Sequence, residues 1–489
     1  MSPTGTAGTP DVDVREVPGV TDAPGVPAAP DVSVIVVVRE AAPHLHRCLE
    51  SLAGQTIGEA RIEVLVVDDE SADGNQAELE RFSSDHPGLC TVLRPGTPNQ
   101  AVARARGRYV FFLPADGFLG REALTRLVDA ADIHGSDVVY AKAAGASTAV
   151  FARTGHGVPR DAPGLARELS CTKLFRREPV VEPHGLRFRE DIPTALAEQA
   201  FTLEALFRAR GISVLADYDY CFAVGESPEA VPPIEDLLRG TAAVMAVTAR
   251  FTEPGPLRDA FHLRYFADEA DRLTGPGLLE TAEPVRRRVF AGLRRLVTDH
   301  LGDAVLARLR PGLRLRLSYV RTGDLPGLLS VIRYEAGHGV PPLRTELVSA
   351  AWRRTGPARH TLVVTARSPL PGLAALDAAP VRLTGPAPQT GRILLRPAPD
   401  GGGTEIEVRI PADAFPPGRT RVGLRTAVLG TEHLATVPAG APPRRAHGLR
   451  GLRPYRLDVA ADGTRGLVVA VAPVGLPGRR FSGGRARPA

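Results

Sequence analysis

Lysine is nearly missing: of the 60 lysines and arginines in the 489-residue chain, only Lys142 and Lys173 are lysine. Positive charge is therefore almost all guanidinium, a bias that accompanies plentiful Ala, Gly and Pro and reads as a coding preference. The net charge of +5 is thinly spread. No basic run with interleaved aromatics occurs, which argues against a nucleic-acid partner. Cysteine is scarce as well. Cys48, Cys90, Cys171 and Cys221 stand far apart with no CxxC pair, as free thiols in a reducing compartment do. No stretch reaches the ~18 apolar residues that span a bilayer, and no basic-then-apolar signal pattern opens the chain. The expectation is a cytoplasmic protein that meets the inner face of the membrane peripherally, if at all.

What is present suits a soluble chain of several domains, with 43% apolar and 24% charged residues. Residues 1–30 hold little to bury and read as a disordered leader. "DVSVIVVVRE" then supplies a β-branched run, Val32–Val38, suited to a strand covered on both faces. Leu45, Cys48, Leu49 and Leu52 follow at helical spacing. A second buried strand, Val64–Val67, ends in Asp68-Asp69, and a helical link in "NQAVARARG" leads to strand Tyr109–Leu113. After further helix and strand patterns, residues 31–225 read as an α/β domain with a mainly parallel sheet. Residues 226–338 have helical period throughout. Residues 339–475 change to short alternating runs with turn residues between them, the pattern of a β-sandwich-like domain. Residues 476–489 read as a basic, disordered tail.

In open parallel sheets ligands sit beyond the carboxyl ends of the strands. Three polar strand ends converge there: Arg39-Glu40, Asp68-Asp69 and Asp116 in "RYVFFLPADGFLG". Each acid alone is equally a helix cap or turn former. Three on one edge are harder to explain that way. "DDESADG" also fits a phospho-acceptor receiver domain, but the length and the C-terminal modules do not. The histidines show no metal-ligand spacing.

"VSVIVVVRE", "CLESLAGQT", "EVLVVDDESADG" and "GRYVFFLPADG", in this order and spacing, resemble family 2 glycosyltransferases of the GT-A fold over residues 31–225. "GSDVVYAK", "TKLFRRE", "HGLRF" and "RARGISVLADYDY", with the helical and β-rich modules, resemble bacterial transferases that decorate wall polymers, such as the poly(ribitol-phosphate) sugar transferases of teichoic acid. The resemblance implies an inverting transfer from a nucleotide sugar, a UDP-sugar, to a hydroxyl of a polysaccharide or polyol-phosphate acceptor. Asp69 matches the acid that pairs with the uracil edge, and Asp68 its neighbour. The backbone after Val36 would lie along the nucleoside. Arg39 stands where the family has an aromatic residue, and Asn99 matches an asparagine at the head of the helix before the metal strand. Lys173, Arg176 and Arg177 form a cationic cluster that faces either the diphosphate and acceptor or solvent.

Two departures stand out. Asp116 matches the middle acid of an Asp-x-Asp-Asp metal signature whose outer acids are here Pro114 and Gly117. One carboxylate plus a diphosphate still offers Mg²⁺ or Mn²⁺ a reduced ligand set. The family base is an Asp after a Glu; here Glu198 matches the Glu and Gln199 occupies the base position. An amide holds no proton near neutral pH, so Gln199 is no general base. Glu198 becomes the candidate, with Asp191 a more distant one, while Glu198 also fits a first-turn acid favoured by the helix dipole. The rival expectation is a catalytically impaired nucleotide- or glycan-binding subunit. The β-rich end serves glycan binding, homo-oligomer formation or simple packing.

Overall fold

The computed structural model describes residues 29–38, 42–68, 75–94, 96–162, 164–223, 232–339, 341–357, 359–376, 381–385, 391–399, 403–428, 431–436, 444–450, 453–461 and 466–474. The expected leader (apart from its last two residues), the basic tail, and the candidate residues Arg39, Glu40 and Asp69 lie outside them.

The first unit is built on β1 (Val32–Val38), α1 (Ala42–Ala53), β2 (Ile62–Asp68), α2 (Asn75–Asp85), β3 (Cys90–Leu93), α3 (Pro98–Arg104) and β4 (Tyr109–Pro114). β5 (Gly117–Leu119), α4 (Ala123–Ile133), β6 (Val138–Ala141), β7 (Gly155–His156), β8 (Lys173–Arg176), α5 (Thr194–Arg208), β9 (Ile212–Leu215) and β10 (Cys221–Ala223) complete it. The main sheet has the order β3-β2-β1-β4-β8-β6-β9-β7. Only β8 and β7 run against the other described strands, so the mainly parallel sheet expected from the sequence is present. β5 and β10 pair separately as a small antiparallel ladder.

The pleat sorts the side chains of the central strands onto two covered faces. Val64, Val66, Phe111 and Leu113 pack with Leu45, Leu49, Leu79 and Phe82 of α1 and α2. Leu65, Val67, Val110 and Phe112 pack with Val102, Ala197 and Phe201 on the other side. Near-continuous β-branched strands are what a sheet covered on both faces requires.

Register is locked at the amino edge. Glu63, 5% exposed, accepts hydrogen bonds from the Ser33 hydroxyl, the Arg106 backbone and, at 2.9 Å, Arg106 Nε, with Gly107 N–H at 3.3 Å. One carboxylate thus joins the starts of β1, β2 and β4. Gly107 is needed there, because a Cβ would stand 2.5 Å from Ser33 N.

The helices α6 (Ile234–Phe251), α7 (Pro256–Leu273), α8 (Gly277–Glu280), α9 (Glu283–His300), α10 (Asp303–Arg308), α11 (Pro311–Thr322) and α12 (Leu325–His338) follow. α11 and α12 end on left-handed glycines, Gly323 (φ 80°) and Gly339 (φ 68°), which close their last carbonyls. Beyond them, strands between Glu346 and Pro473 form two antiparallel sheets, four-stranded and six-stranded. The helical and all-β segments share one apolar core, and Tyr319 Oη of α11 donates to Pro371 O at 2.6 Å. Among the described residues no helix is long and apolar enough to cross a membrane.

Replacing Glu63 with Ala takes the shared acceptor from donors on two other chain segments, Ser33 and Arg106–Gly107. The expected cost is about 2–4 kcal/mol of unfolding free energy in urea titrations. An unchanged midpoint would remove the carboxylate from its place as the register lock.

Candidate active site

With the amino edge fixed, the carboxyl ends of the three central strands come out level. Val38 pairs with Asp68, and Val37 with Pro114. Asp68 and Pro114 therefore flank β1, about 10 Å apart at two strand spacings, with Asp116 two residues beyond.

Asp68 is fully buried. By alternation it shares the face of Val64 and Val66. Its carboxylate is ion-paired with Arg94, whose Nε lies at 2.9 Å, while its carbonyl accepts from Gly96 N–H at 3.0 Å. Asp68 therefore ties the chain beyond β3 to the end of β2, and Arg94, 30% exposed, carries the pair to the surface.

Asp116 occupies the turn between β4 and β5. Among the described residues its carboxylate has no hydrogen-bond or ion-pair partner. The turn is held instead by α1 and the residues just after it. Ser51 Oγ accepts from Leu119 N–H (3.1 Å), and Gln55 spans two points by accepting from Leu124 N–H (3.0 Å) and donating to Gly120 O (2.8 Å). Cys48 Sγ lies 3.8 Å from Pro114 O. Burial, with a smaller push from Asp116, raises this thiol to about 12. Gly117 fills the place of the missing last acid: a Cβ there would meet Phe222 O at 3.2 Å and Pro114 O at 3.3 Å. Phe118 and Phe222 stack with centroids 4.7 Å apart, and Arg47 covers Phe118 at 3.6 Å.

α5 approaches the same end of β4 from the other face. Phe201 meets Phe112 edge-on at 5.3 Å and stacks on Phe188 at 4.5 Å. Glu198 is one turn earlier on the helix, and its Oε2 lies 3.4 Å from Cys171 N–H. Gln199 points elsewhere: its Oε1 accepts from Arg264 of α7 at 2.8 Å. Asp191 is exposed and paired with Arg189 at 2.6 Å, which holds its carboxyl below the usual range. It is a surface pair, remote in role from a proton acceptor.

Several sequence expectations are corrected here. Asn99 spends its amide on the chain, donating to Phe188 O and Glu190 and accepting from Phe188 N–H at 2.8 Å, so it anchors the segment before α5. Val36 lies mid-strand and buried. The cluster of Lys173, Arg176 and Arg177 does not exist as one surface. β8 is antiparallel to β4, pairing Arg176 with Tyr109 at the amino edge. Residues three apart on a strand also face opposite sides. Arg176 pairs with Asp137 at 3.1 Å, and Arg177 donates to Gly107 O at 2.7 Å. Lys173, 2% exposed, is too deep to reach a diphosphate. Burial draws its ammonium down to about 8. The roles of Ser51, Gln55 and Arg94 were missed, although the first two sit inside the quoted "CLESLAGQT". The donor set for a metal is small: among the described residues no group of three or more His, Cys, Asp or Glu is placed to hold an ion.

A mixed, mostly parallel sheet with an acid-bearing turn at its carboxyl edge, followed by a helical segment and antiparallel β-sheets, defines a GT-A-like architecture. Comparison with known proteins agrees. Residues 33–180 match the model of glycosyl transferase family 2, and residues 235–332 match the glycosyl transferase TarS linker domain. Over these residues the chain is similar to a family 2 glycosyltransferase domain followed by a TarS-type linker.

It is 27% identical over 330 residues to a poly(ribitol-phosphate) beta-glucosyltransferase of Bacillus spizizenii, covering 62% of this chain and 50% of that one. It is 30% identical over 208 residues to the poly(ribitol-phosphate) beta-N-acetylglucosaminyltransferase TarS of Staphylococcus aureus, covering 40% of this chain and 36% of that one. The match therefore spans half of these relatives' length or less. The crystal structure of S. aureus TarS superposes with TM-score 0.53 at 19% identity over 91% of this chain and 86% of that one. A 1–349 fragment of TarS in complex with UDP-GlcNAc gives TM-score 0.55 at 23% identity, over 65% of this chain and 95% of the fragment. These likenesses establish the fold.

The depressed Lys173 predicts a pH effect. Between pH 8 and 10.5 the unfolded chain keeps a lysine proton that the folded chain has lost. Stability therefore rises with pH across that window, and the cost of burying the ammonium is full below it. Lys173→Met should gain on the order of 2 kcal/mol relative to the parent at pH 7, a gain that shrinks towards pH 10.5. Parallel denaturation curves at both pH values check this, and a pH-independent difference contradicts it.

Proposed function

We propose that the chain is an inverting glycosyltransferase that moves a sugar from a UDP-sugar to a hydroxyl of a polyol-phosphate wall polymer or its precursor. The observation that carries this reading is the convergence at one sheet edge. The unpartnered Asp116 carboxylate lies in the turn after β4, and the helix turn bearing Glu198 is wedged against the same strand by Phe112 and Phe201. The relatives' acceptors and the UDP-GlcNAc of the TarS complex supply the substrate classes.

In this reading the donor lies over the ends of β1, β2 and β4, with the nucleoside towards Asp68 and the diphosphate towards Asp116, and Asp69, outside the described residues, is the proposed partner of the uracil edge. A Mg²⁺ or Mn²⁺ ion held by Asp116 and phosphate oxygens would neutralise charge on the departing nucleoside diphosphate. Asp116 fits that task because no described side chain competes for it. Glu198 accepts the proton of the attacking hydroxyl, a contribution typically worth roughly 10²–10⁴ in rate. Residues 31–225 would house the reaction, 226–338 join it to the β-rich end, and 339–475 hold polymer or a second copy of the chain. A cytoplasmic site at the inner face of the membrane suits such an acceptor.

A second reading, a nucleotide- or glycan-binding subunit without turnover, is favoured by Gln199, which stands at the base position and is bound to Arg264. Assays with UDP-glucose and UDP-GlcNAc on poly(ribitol-phosphate), with and without Mn²⁺, separate the two. Turnover is expected in the parent. Glu198→Gln should lose about 10²–10⁴ in kcat with UDP affinity kept, and Asp116→Asn should demand far more Mn²⁺ for the same rate. UDP binding without turnover for every donor and acceptor would favour the subunit.

A further inference from the structure

Lys173 is an unusual expense in this fold. An isolated buried ammonium costs free energy, and elsewhere among the described residues only Lys142 is a lysine, paired at the surface with Asp219 at 2.9 Å. With 2% exposure it cannot touch a ligand arriving from solvent, so any functional part it plays runs through its neighbours.

Those neighbours form a clamp on α5. Lys173 Nζ donates to Ser170 O at 2.7 Å and lies 3.3 Å from Ser170 Oγ. The same carbonyl accepts from Thr202 Oγ1 at 3.1 Å, one turn beyond Glu198. Lys173 N–H donates to Cys171 O at 2.6 Å, which closes the bend. Cys171 then faces Glu198 twice, with its N–H 3.4 Å from Oε2 and its Sγ 3.5 Å from the Glu198 carbonyl. The N–H contact is long, so its strength depends on where the bend is held. Beneath, the Tyr140 ring lies 4.5 Å from Nζ.

We propose that Lys173 is a positioning residue for Glu198, pulling the Ser170–Cys171 bend onto α5 so that the Cys171 N–H is presented to the carboxylate. A compact ammonium fits a single carbonyl from below, where a planar guanidinium would not. The charged or titratable groups around it are Cys171, Glu168, Cys221 and Glu198, with Tyr140 under the ammonium. This inference rests on Glu198 being the base.

Lys173→Met in the full chain tests it. The substitution removes a buried charge at similar volume, so folding should be kept or improved, and UDP affinity should be unchanged. The expected result is a kcat roughly tenfold or more below the parent, at unaltered donor KM, with the acidic limb of the kcat–pH profile displaced. An unchanged kcat and profile overturns the proposal. Selective 13Cε labelling of lysine gives a reading that needs neither this variant nor turnover, because only two lysines resonate. In Glu198→Gln, Lys173 should titrate lower, having lost a negative charge that favours its ammonium, while Lys142 stays put. An unmoved Lys173 overturns the clamp. A moved Lys173 in a chain that never turns over sinks the transferase reading and leaves the clamp standing.

Discussion

Glu63 lies at the edge of the sheet farthest from the chemistry, yet the site depends on it. Parallel strands are free to slide by pairs of residues wherever both faces are apolar, because the side-chain pattern repeats every second residue. β1 is β-branched almost throughout and β2 is largely apolar, so their apolar residues set no register by themselves. A buried carboxylate that takes donors from Ser33, Arg106 and Gly107 does. Once the starts are level, Val38, Asp68 and Pro114 finish level as well. An acid at a strand end has meaning only relative to its neighbours' ends.

The second constraint is α1 with the residues just after it, which act as a strut beneath the Asp116 turn. Ser51 and Gln55 hold the backbone of residues 119–124 through side-chain bonds that a freely moving loop would lack. The same packing explains why the metal signature is thin. With β5 drawn against β10, position 117 has backbone oxygens at 3.2 and 3.3 Å from any Cβ. An acid there would require the ladder to give by a few tenths of an ångström. The ladder thus closes the turn at the position where the Asp-x-Asp-Asp pattern has its last acid.

Much of this was legible in the residues. Runs such as Val32–Val38 and Tyr109–Leu113 declared buried parallel strands, and the change from helical to alternating period marked the later modules. What the sequence hid was direction and depth. "TKLFRRE" looks like a cationic patch until β8 runs antiparallel and sends Arg176 to the amino edge. Asn99 looks like a ligand contact until its amide closes on Phe188. Both errors share a cause: polar side chains advertise binding, and nothing local distinguishes binding solvent, substrate or the chain's own backbone. Arg94 was missed because a lone arginine after a short strand carries no pattern.

The proposed exchange of base positions rests on helix geometry. Consecutive residues on a helix point about 100° apart, so Glu198 and Gln199 serve different neighbours. Gln199 meets Arg264 from the helical segment at 2.8 Å. A carboxylate at 199 would be held ionised by that guanidinium and made a poorer proton acceptor. A neutral amide accepts the same hydrogen bond without that conflict and joins the two segments. Glu198 instead faces the Cys171 N–H, whose nitrogen lies 3.4 Å from Oε2. In the proposed reaction the contact between Arg264 and Gln199 thus leaves Glu198 as the residue to take the proton.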